Sequence, residues 1–439
     1  MTTSYSKSLK FLYSNIKIFN QNPYFSYIQG HDYLNKVDLD EALEYLGKNN
    51  DSVIEEFESK FSSVIGYGYS ASFASARMGF FCLLKSLDIG QGDEVILNGS
   101  TCAVMSNAVI RTGAIPIYSD IDIETFGSCP NSIKKSISNR TKMIVAQHSF
   151  GIPCKVDEIS KIAKDQEIFL LEDCAISLGS KINNVILGNF GDAALFSIDH
   201  TKPINTITGG LIYSCNKELL KKILLLRDQS HELPLKKQKA IWNRLVFERR
   251  YCNSENNGKM YLIDFFHRLV DRLFKKDSPF LDEDSVSFKR LNSYPYPSKL
   301  PTFLAIIGIN EIERWPGVIK ERKNLLNKYL EIFSQTKYHN LLPNAYFDKK
   351  LDIVPQRLVW VQTDNLDIKQ QMVKYLNISQ IWFQEPIIST KEPLINFKYK
   401  QGDCPIAEKC GKHIMNLPTN MNHQDSKIFL SLIEKIIIN

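Results

Sequence analysis

The chain has 439 residues, 44% hydrophobic and 23% charged, with a net charge of +6. At ~150 residues per domain this length predicts two or three domains with a sizeable core, and the globular composition excludes a largely disordered chain. No stretch approaches the ~18 apolar residues of a membrane span, and the mild charge excludes nucleic acid as a default partner.

The first residues, MTTSYSKSLKFLYSNIKIF, mix polar and apolar side chains without the apolar run and cleavage site of a secretory leader, so a cytoplasmic address is expected. From about Tyr67 to Cys215, short apolar runs alternate with helical patterns. After a strand running through Phe73, the predicted strands are Glu94 to Gly99, Ala114 to Asp122, Lys142 to Gly151, Glu167 to Ala175, Ala193 to Asp199 and Gly209 to Cys215. Most are apolar on both faces, as buried strands of a parallel sheet are, and helices near 76–88, 103–112, 130–137 and 155–165 supply the crossovers. The fold class is therefore α/β.

Beyond Asp228 the pattern turns to helices and polar stretches. A Pro- and Tyr-rich link, Ser293 to Pro301, precedes a long helix near 303–335, a strand from Leu358 to Thr363, a helix near 367–376 and a last helix from about 424. These compose a second, smaller α+β domain. The nine cysteines, Cys82, Cys102, Cys129, Cys154, Cys174, Cys215, Cys252, Cys404 and Cys410, are scattered without a C-x-x-C pair, so neither a disulfide framework nor a zinc site is indicated.

In an α/β sheet, polar residues that end apolar strands mark the ligand side. Three groups stand at such places. Ser75, Ala76 and Arg77 open a helix, whose free N–H groups and dipole suit a phosphate; an ordinary Ser75 N-cap is the bland alternative. Glu172 and Asp173 end a buried strand, where a carboxylate needs a cationic partner such as a protonated heteroaromatic nitrogen, an N-cap or a structural ion pair. Lys202 follows Ser197 in a polar loop closed by Gly209 and Gly210, a setting for a Schiff-base lysine as well as for a solvated one. Together they match a cofactor with a phosphate, a pyridine nitrogen and a carbonyl, which describes pyridoxal 5′-phosphate (PLP).

The blocks GQGDEVILNGST, TGAIPIYSDIDIET, HSFGIPCKVDEI, EDCAISLGS, GNFGDAALFS and CPIAEKCGKHIMNLPT occur in that order. With them the chain resembles the DegT/DnrJ/StrS family of PLP-dependent sugar aminotransferases from about Phe57 onward, apart from residues 229–290. The resemblance implies fold type I, an aspartate-aminotransferase-like large domain with a mainly parallel sheet plus the smaller C-terminal domain. The expected partition is an N-terminal segment 1–50, a PLP-binding domain 51–228, a basic helical insertion and linker 229–300, and a small domain 301–439.

By the same resemblance, Lys202 is the Schiff-base lysine, Asp173 holds the pyridinium nitrogen, and Ser197, with Ser75, Ala76 and Arg77, binds the phosphate. Thr101, Cys102 and Ile176 fall at further cofactor positions, and His148 and His200 at substrate-side ones. The expected reaction moves an amino group from L-glutamate to a keto sugar, a nucleotide-linked one first, for surface-polysaccharide or amino-sugar synthesis, in a homodimer with shared active sites. A related dehydratase subgroup carries histidine at the lysine position, so Lys202 favours transamination. The alternatives are another outcome of the same chemistry (dehydration, or a non-nucleotide acceptor) and a catalytically silent member.

The chain departs from the family at several positions. Ile176 stands where Gln or Glu is usual, Ala76–Arg77 replace Gly-Thr, Cys102 replaces a stacking aromatic, and Asp199 replaces a histidine that His200 follows. The neighbour-supplied Asn has no counterpart; Tyr294, Tyr296 and Lys299 are its nearest candidates. The insertion contains a basic amphipathic segment, 259–276, with Leu262, Phe266, Leu269 and Leu273 on one helical face and Arg268, Arg272, Lys275 and Lys276 nearby. Residues 221–300 hold 17 Lys/Arg against 10 Asp/Glu, enough to consider docking on an anionic membrane, though an ordinary packed helix is the favoured reading.

Overall fold

The computed structural model describes residues 21–273, 277–281, 294–363, 366–390 and 392–438. The leader reading, on the first residues, lies outside this set, as do Lys275, Lys276 and the side chains of Arg268 and Arg272. In chain order the elements are α1 (Lys36–Glu44), α2 (Asp51–Ile65), β1 (Tyr69–Phe73), α3 (Ala76–Ser86), β2 (Glu94–Asn98), α4 (Ala103–Thr112), β3 (Ile115–Ser119), α5 (Pro130–Ser136), β4 (Thr141–Gln147), α6 (Val156–Asp165) and β5 (Phe169–Asp173). The hairpin β6 (Lys181–Ile182) and β7 (Val185–Ile186) precedes β8 (Ala193–Ser197) and β9 (Gly210–Ser214). Helices α7 (Lys217–Asp228), α8 (Leu235–Tyr251), α9 (Asn257–Leu273) and α10 (Thr302–Ser334) follow, then β10 (Leu351–Asp352), β11 (Arg357–Val361), α11 (Leu366–Met372), α12 (Pro405–His413), β12 (Ile414–Pro418) and α13 (His423–Ile438).

Seven strands form the main sheet in the order β1-β9-β8-β5-β4-β2-β3. β9 is antiparallel to both neighbours, and every other pairing is parallel, so β1, β8, β5, β4, β2 and β3 run the same way. Their carboxyl ends share one edge with the start of β9. Phe73 and Ser197 both pair with Gly210 there. A side chain at Gly210 is impossible, since a Cβ would lie 2.4 Å from the Ala76 nitrogen. That close approach seats the α3 N-terminus against the strand that leaves the Lys202 loop.

The predicted strands match to within a few residues, and their length is cut where the chain turns. The Lys142–Gly151 run ends at Gln147 because His148 to Ile152 form a tight turn with positive φ at Phe150 (59°) and Gly151 (89°). β11 and β12 pair antiparallel as a separate two-stranded sheet, and β10 joins the β6–β7 hairpin of the first half. The 33-residue helix α10 packs beside α2, where a Cβ on Gly308 would sit 2.4 Å from Phe57. The segment before α1 is anchored in the core by Phe25, Tyr27 and Leu34, all at most 3% exposed. A smaller cluster of Ile28, Phe247, Cys252 and Met260 ties the insertion to that segment.

Candidate functional site

The carboxyl edge of the sheet opens on a cavity of about 610 Å³, lined by both halves of the chain. Ser75, Ala76, Arg77, Cys102, His148, Asp173, Ile176, Ser197, His200 and Lys202 all line it. The cavity lies outside the carboxyl ends of the parallel strands β4, β5 and β8, the ligand side of an α/β sheet.

At one end, Ser75 is the extended N-cap of α3 (φ −154°, ψ 154°), yet its side chain makes no cap bond. Its Oγ is buried without a hydrogen-bond partner among the described residues, beside the first-turn amides that an α-helix leaves unsatisfied. Ser197 ends β8 at the same place. An orphaned hydroxyl, free helix amides and a second serine form a cradle that fits a phosphate. The Arg77 guanidinium donates to the Leu281 carbonyl, and the Arg77 carbonyl accepts from the Tyr296 hydroxyl at 3.2 Å.

The Glu172–Asp173 pair divides its work across the sheet. Glu172 is fully buried; its oxygens accept the N–H groups of Gly188 (2.9 Å), Phe190 (2.6 Å) and Gly191 (2.8 Å) and lie 3.3 Å from His148 Nε2. It holds the Gly188–Gly191 loop. Asp173 faces the cavity, 6% exposed, its Oδ1 accepting the Ala175 N–H at 3.0 Å. Burial pushes its pKa up, against the pull of that N–H and of the Lys202 and His148 charges. A carboxylate so placed suits a protonated ring nitrogen.

Glu172 also stands with His148 and Cys174 in a buried cluster whose ligand-type atoms lie within 4.8 Å of one another. Glu172 is taken up by backbone donors, and His148 Nδ1 accepts the Cys154 N–H at 3.0 Å, so these lone pairs are already committed. The cluster orders the turn after β4.

Lys202 reaches the cavity from the loop between β8 and β9. Its N–H bonds the Asp199 carbonyl at 2.9 Å, and Gln356 donates to the neighbouring Thr201 carbonyl at 2.7 Å. The Cys102 position brings no aromatic ring: its backbone bridges Ile388, and buried Thr101 gives its carbonyl to the Ile388 N–H at 2.8 Å instead of lining the cavity. The ring near the lysine is Trp382.

Tyr294, Tyr296 and Lys299 do not line the cavity. Tyr294 is buried against the Lys237 ammonium, 5.0 Å from its ring, and Tyr296 packs on Phe81 with the Arg111 guanidinium 3.9 Å from its centroid. Lys299 lies 3.8 Å from Glu232. The site expected of them is the neighbouring subunit's, and within their own chain Tyr296 stands at the start of α3.

Sequence reasoning passed over the residues that the C-terminal half and the N-terminal segment contribute: Tyr27, Gln356, Arg357, Gln380, Trp382 and Gln384. Arg357 opens the predicted strand Leu358–Thr363, which was a signal; Tyr27 carried none. The Arg357 guanidinium is 8% exposed, stacks 4.1 Å from the Tyr27 centroid, and donates to the Gln380 carbonyl (2.7 Å) and Asn416 Oδ1 (3.1 Å). Burial lowers its pKa to about 10, and no carboxylate among the described residues pairs with it. A buried cation without an anion is costly unless a ligand brings one.

A family model described as the DegT/DnrJ/EryC1/StrS aminotransferase family matches residues 35–429. The spore coat polysaccharide biosynthesis protein SpsC of Bacillus subtilis is 27% identical over 298 residues, 68% of this chain and 66% of its own length. GDP-perosamine synthase of Escherichia coli O157:H7 is 35% identical over 176 residues, 40% of this chain and 48% of its own. The chain thus spans between about half and two thirds of these relatives. Among solved structures, an aminotransferase from Psychrobacter cryohalolentis superposes with TM-score 0.67 at 18% identity, covering 92% of this chain and 98% of that one. NtdA of Bacillus subtilis with bound PMP superposes with TM-score 0.66 at 19% identity, covering 93% and 84%. These likenesses give the fold, that of the fold type I aminotransferases.

Proposed function

The chain belongs to the DegT/DnrJ/EryC1/StrS aminotransferase family, and on that premise we propose that it is a PLP-dependent aminotransferase carrying an amino group from L-glutamate to a keto sugar. The observation that carries the reading is the convergence of Asp173 and Lys202 on a cavity whose far end is the unpartnered Ser75 hydroxyl at the α3 N-terminus. Ser75, the amides of Ala76 and Arg77, and Ser197 hold the phosphate. Asp173 keeps the proton on the pyridine nitrogen, at a site where burial already penalises its own unpaired charge. Bound there, PLP supplies an electron sink for the charge left when the donor loses its α-proton.

Lys202 is the residue whose Nζ would hold the cofactor through its carbonyl carbon and, as a free amine, would take the proton from the donor's α-carbon and deliver it to the cofactor. Arg357 binds the donor carboxylate and so fills its missing ion pair. Trp382, which lines the cavity together with Gln356, Gln380 and Gln384, offers a ring face for a sugar. One named relative is a polysaccharide biosynthesis protein and another a GDP-perosamine synthase, which supports a nucleotide-linked acceptor here. A homodimer is part of the same proposal. No helix among the described residues is long and apolar enough to cross a membrane.

The test is the absorption spectrum of the protein loaded with PLP, before and after L-glutamate. The expected result is a visible band of lysine-bound cofactor that gives way to the pyridoxamine form, and Lys202→Ala lacks both. Absence of the band in the unaltered protein overturns the reading.

A further inference from the structure

Two glutamines hold the loop between β8 and β9, one on either side of Lys202. Gln356, just before β11, donates its Nε2 to the Thr201 carbonyl at 2.7 Å. The Gln29 carbonyl, in the segment before α1, accepts from Asn205 Nδ2 at 2.8 Å. Asn205 Oδ1 in turn accepts the Ile207 N–H at 2.8 Å, where Ile207 holds a φ of 72°. A non-glycine residue in that region persists only when its surroundings over-determine it.

Both glutamines meet one guanidinium. Arg322, on α10, is 1% exposed and does not line the cavity. Its Nη1 donates to Gln356 Oε1 at 2.7 Å and to the Pro355 carbonyl at 3.2 Å, and its Nη2 donates to Gln29 Oε1 at 3.2 Å. Burial lowers its pKa to about 10, so at neutral pH it is a buried cation, and these three partners are all neutral oxygens. A charge buried this way costs desolvation that neutral acceptors only partly offset. What it supplies is direction. A carboxamide accepts at one end and donates at the other. With Oε1 of Gln356 drawn to the guanidinium, Nε2 faces the Thr201 carbonyl, whereas the flipped amide would set donor against donor and acceptor against acceptor. The Gln356 backbone is pinned too, its N–H donating to the Phe150 carbonyl at 2.9 Å.

We propose that Arg322 is a positioning residue of the active site, which orients Gln356 and Gln29 and through them fixes the loop on both sides of Lys202. The proposal rests on the aminotransferase reading. The lysine amine has to meet first the cofactor and then the donor's α-carbon, and a displacement of about 1 Å is enough to slow such steps by up to ~10²-fold. Arg322 thus governs the rate of the lysine's steps rather than the affinity for either substrate.

The experiment compares wild-type protein with Arg322→Met and Gln356→Glu. Met keeps the bulk and removes the cation. Glu keeps an oxygen for Arg322 and replaces the Nε2 donor with an oxygen that repels the Thr201 carbonyl. The first readout is amide hydrogen exchange in cofactor-free protein over residues 199–207, where the N–H groups of Lys202, Thr206 and Ile207 are bonded within the loop and its base. Both variants are expected to exchange there about tenfold faster, with β5 and β8 unchanged. The second is kinetic: in the PLP-loaded enzyme Arg322→Met is expected to lower kcat about tenfold and to leave both KM values within about twofold. Unchanged exchange over 199–207 in Arg322→Met overturns the proposal, and so does a rise shared equally by β5 and β8, which is what a purely structural arginine gives. If Arg322→Met does not fold, Gln356→Glu decides by the same exchange measurement, and an unchanged loop overturns the idea. Wild-type protein that takes up no PLP overturns the aminotransferase reading itself, whereas an active wild type with a normal kcat in Arg322→Met overturns the positioning role only.

Discussion

The Nζ of Lys202 lies 5.6 Å from the centroid of the Trp382 ring, so a loop between β8 and β9 and a segment after β11 close on each other across the cavity. A sugar ring bound beside the lysine, as proposed, would lie within reach of that indole. Trp382→Ala is expected to raise the acceptor KM about tenfold or more, since stacking and burial on one aromatic face contribute roughly 1–3 kcal/mol. PLP uptake should change less than twofold in a direct binding titration. Equal losses in cofactor and acceptor binding would assign Trp382 to the cofactor instead.

Asp173 makes a prediction about pH. Its folded-state pKa is raised by burial. The carboxyl's contribution to stability is therefore present below the ordinary carboxylate range of ~4 and is lost as pH rises through the folded value. Cofactor-free protein should lose melting temperature over that window, and Asp173→Asn should lack the loss, standing about 1 kcal/mol above wild type at neutral pH. The same variant should lose most activity, because an amide does not hold the ring proton. A calorimetric pH series on both proteins tests the stability claim separately from catalysis.

How far the sequence reached depends on the physics behind each signal. Strands apolar on both faces are readable because a parallel sheet buries them entirely, and β2, β5 and β8 lie where their apolar runs placed them. Asp173, Ser197 and Lys202 stood out as polar groups ending such runs. The antiparallel setting of β9 had no local mark, since direction comes from how the chain returns. The division of labour between Glu172 and Asp173 was equally hidden, because alternation along a strand says the two face opposite ways but not which meets the cavity. Arg357, Trp382 and Tyr27 come from far along the chain in either direction, and only packing brings them to Lys202.

Arg357 sits 8% exposed with carbonyl and amide partners but no carboxylate pair among the described residues, which suits an incoming acid. Arg357→Gln is expected to raise the KM for L-glutamate by about 10²-fold, the loss of one buried charge-assisted pair of roughly 3 kcal/mol. The acceptor KM should move much less. Arg357→Lys should recover only part of the loss, because an ammonium does not reproduce the planar fork. Half-reaction kinetics with the donor alone isolate the effect, and an unchanged donor KM would place the carboxylate elsewhere.

Glu172 should matter for folding rather than for turnover. Three backbone N–H groups, from Gly188, Phe190 and Gly191, converge on a carboxylate with no exposed surface, and His148 backs it. Replacing it with alanine strands three donors in a dry interior, each costing about 1 kcal/mol or more. Glu172→Ala is expected to lose about 3–4 kcal/mol in denaturant unfolding. Glu172→Gln keeps one acceptor oxygen and should lose less, while whatever protein remains folded should take up PLP with near-normal affinity, since Asp173 keeps its place at the end of β5. A Glu172→Gln protein that folds normally but fails to bind PLP would reverse the roles given to the two carboxylates.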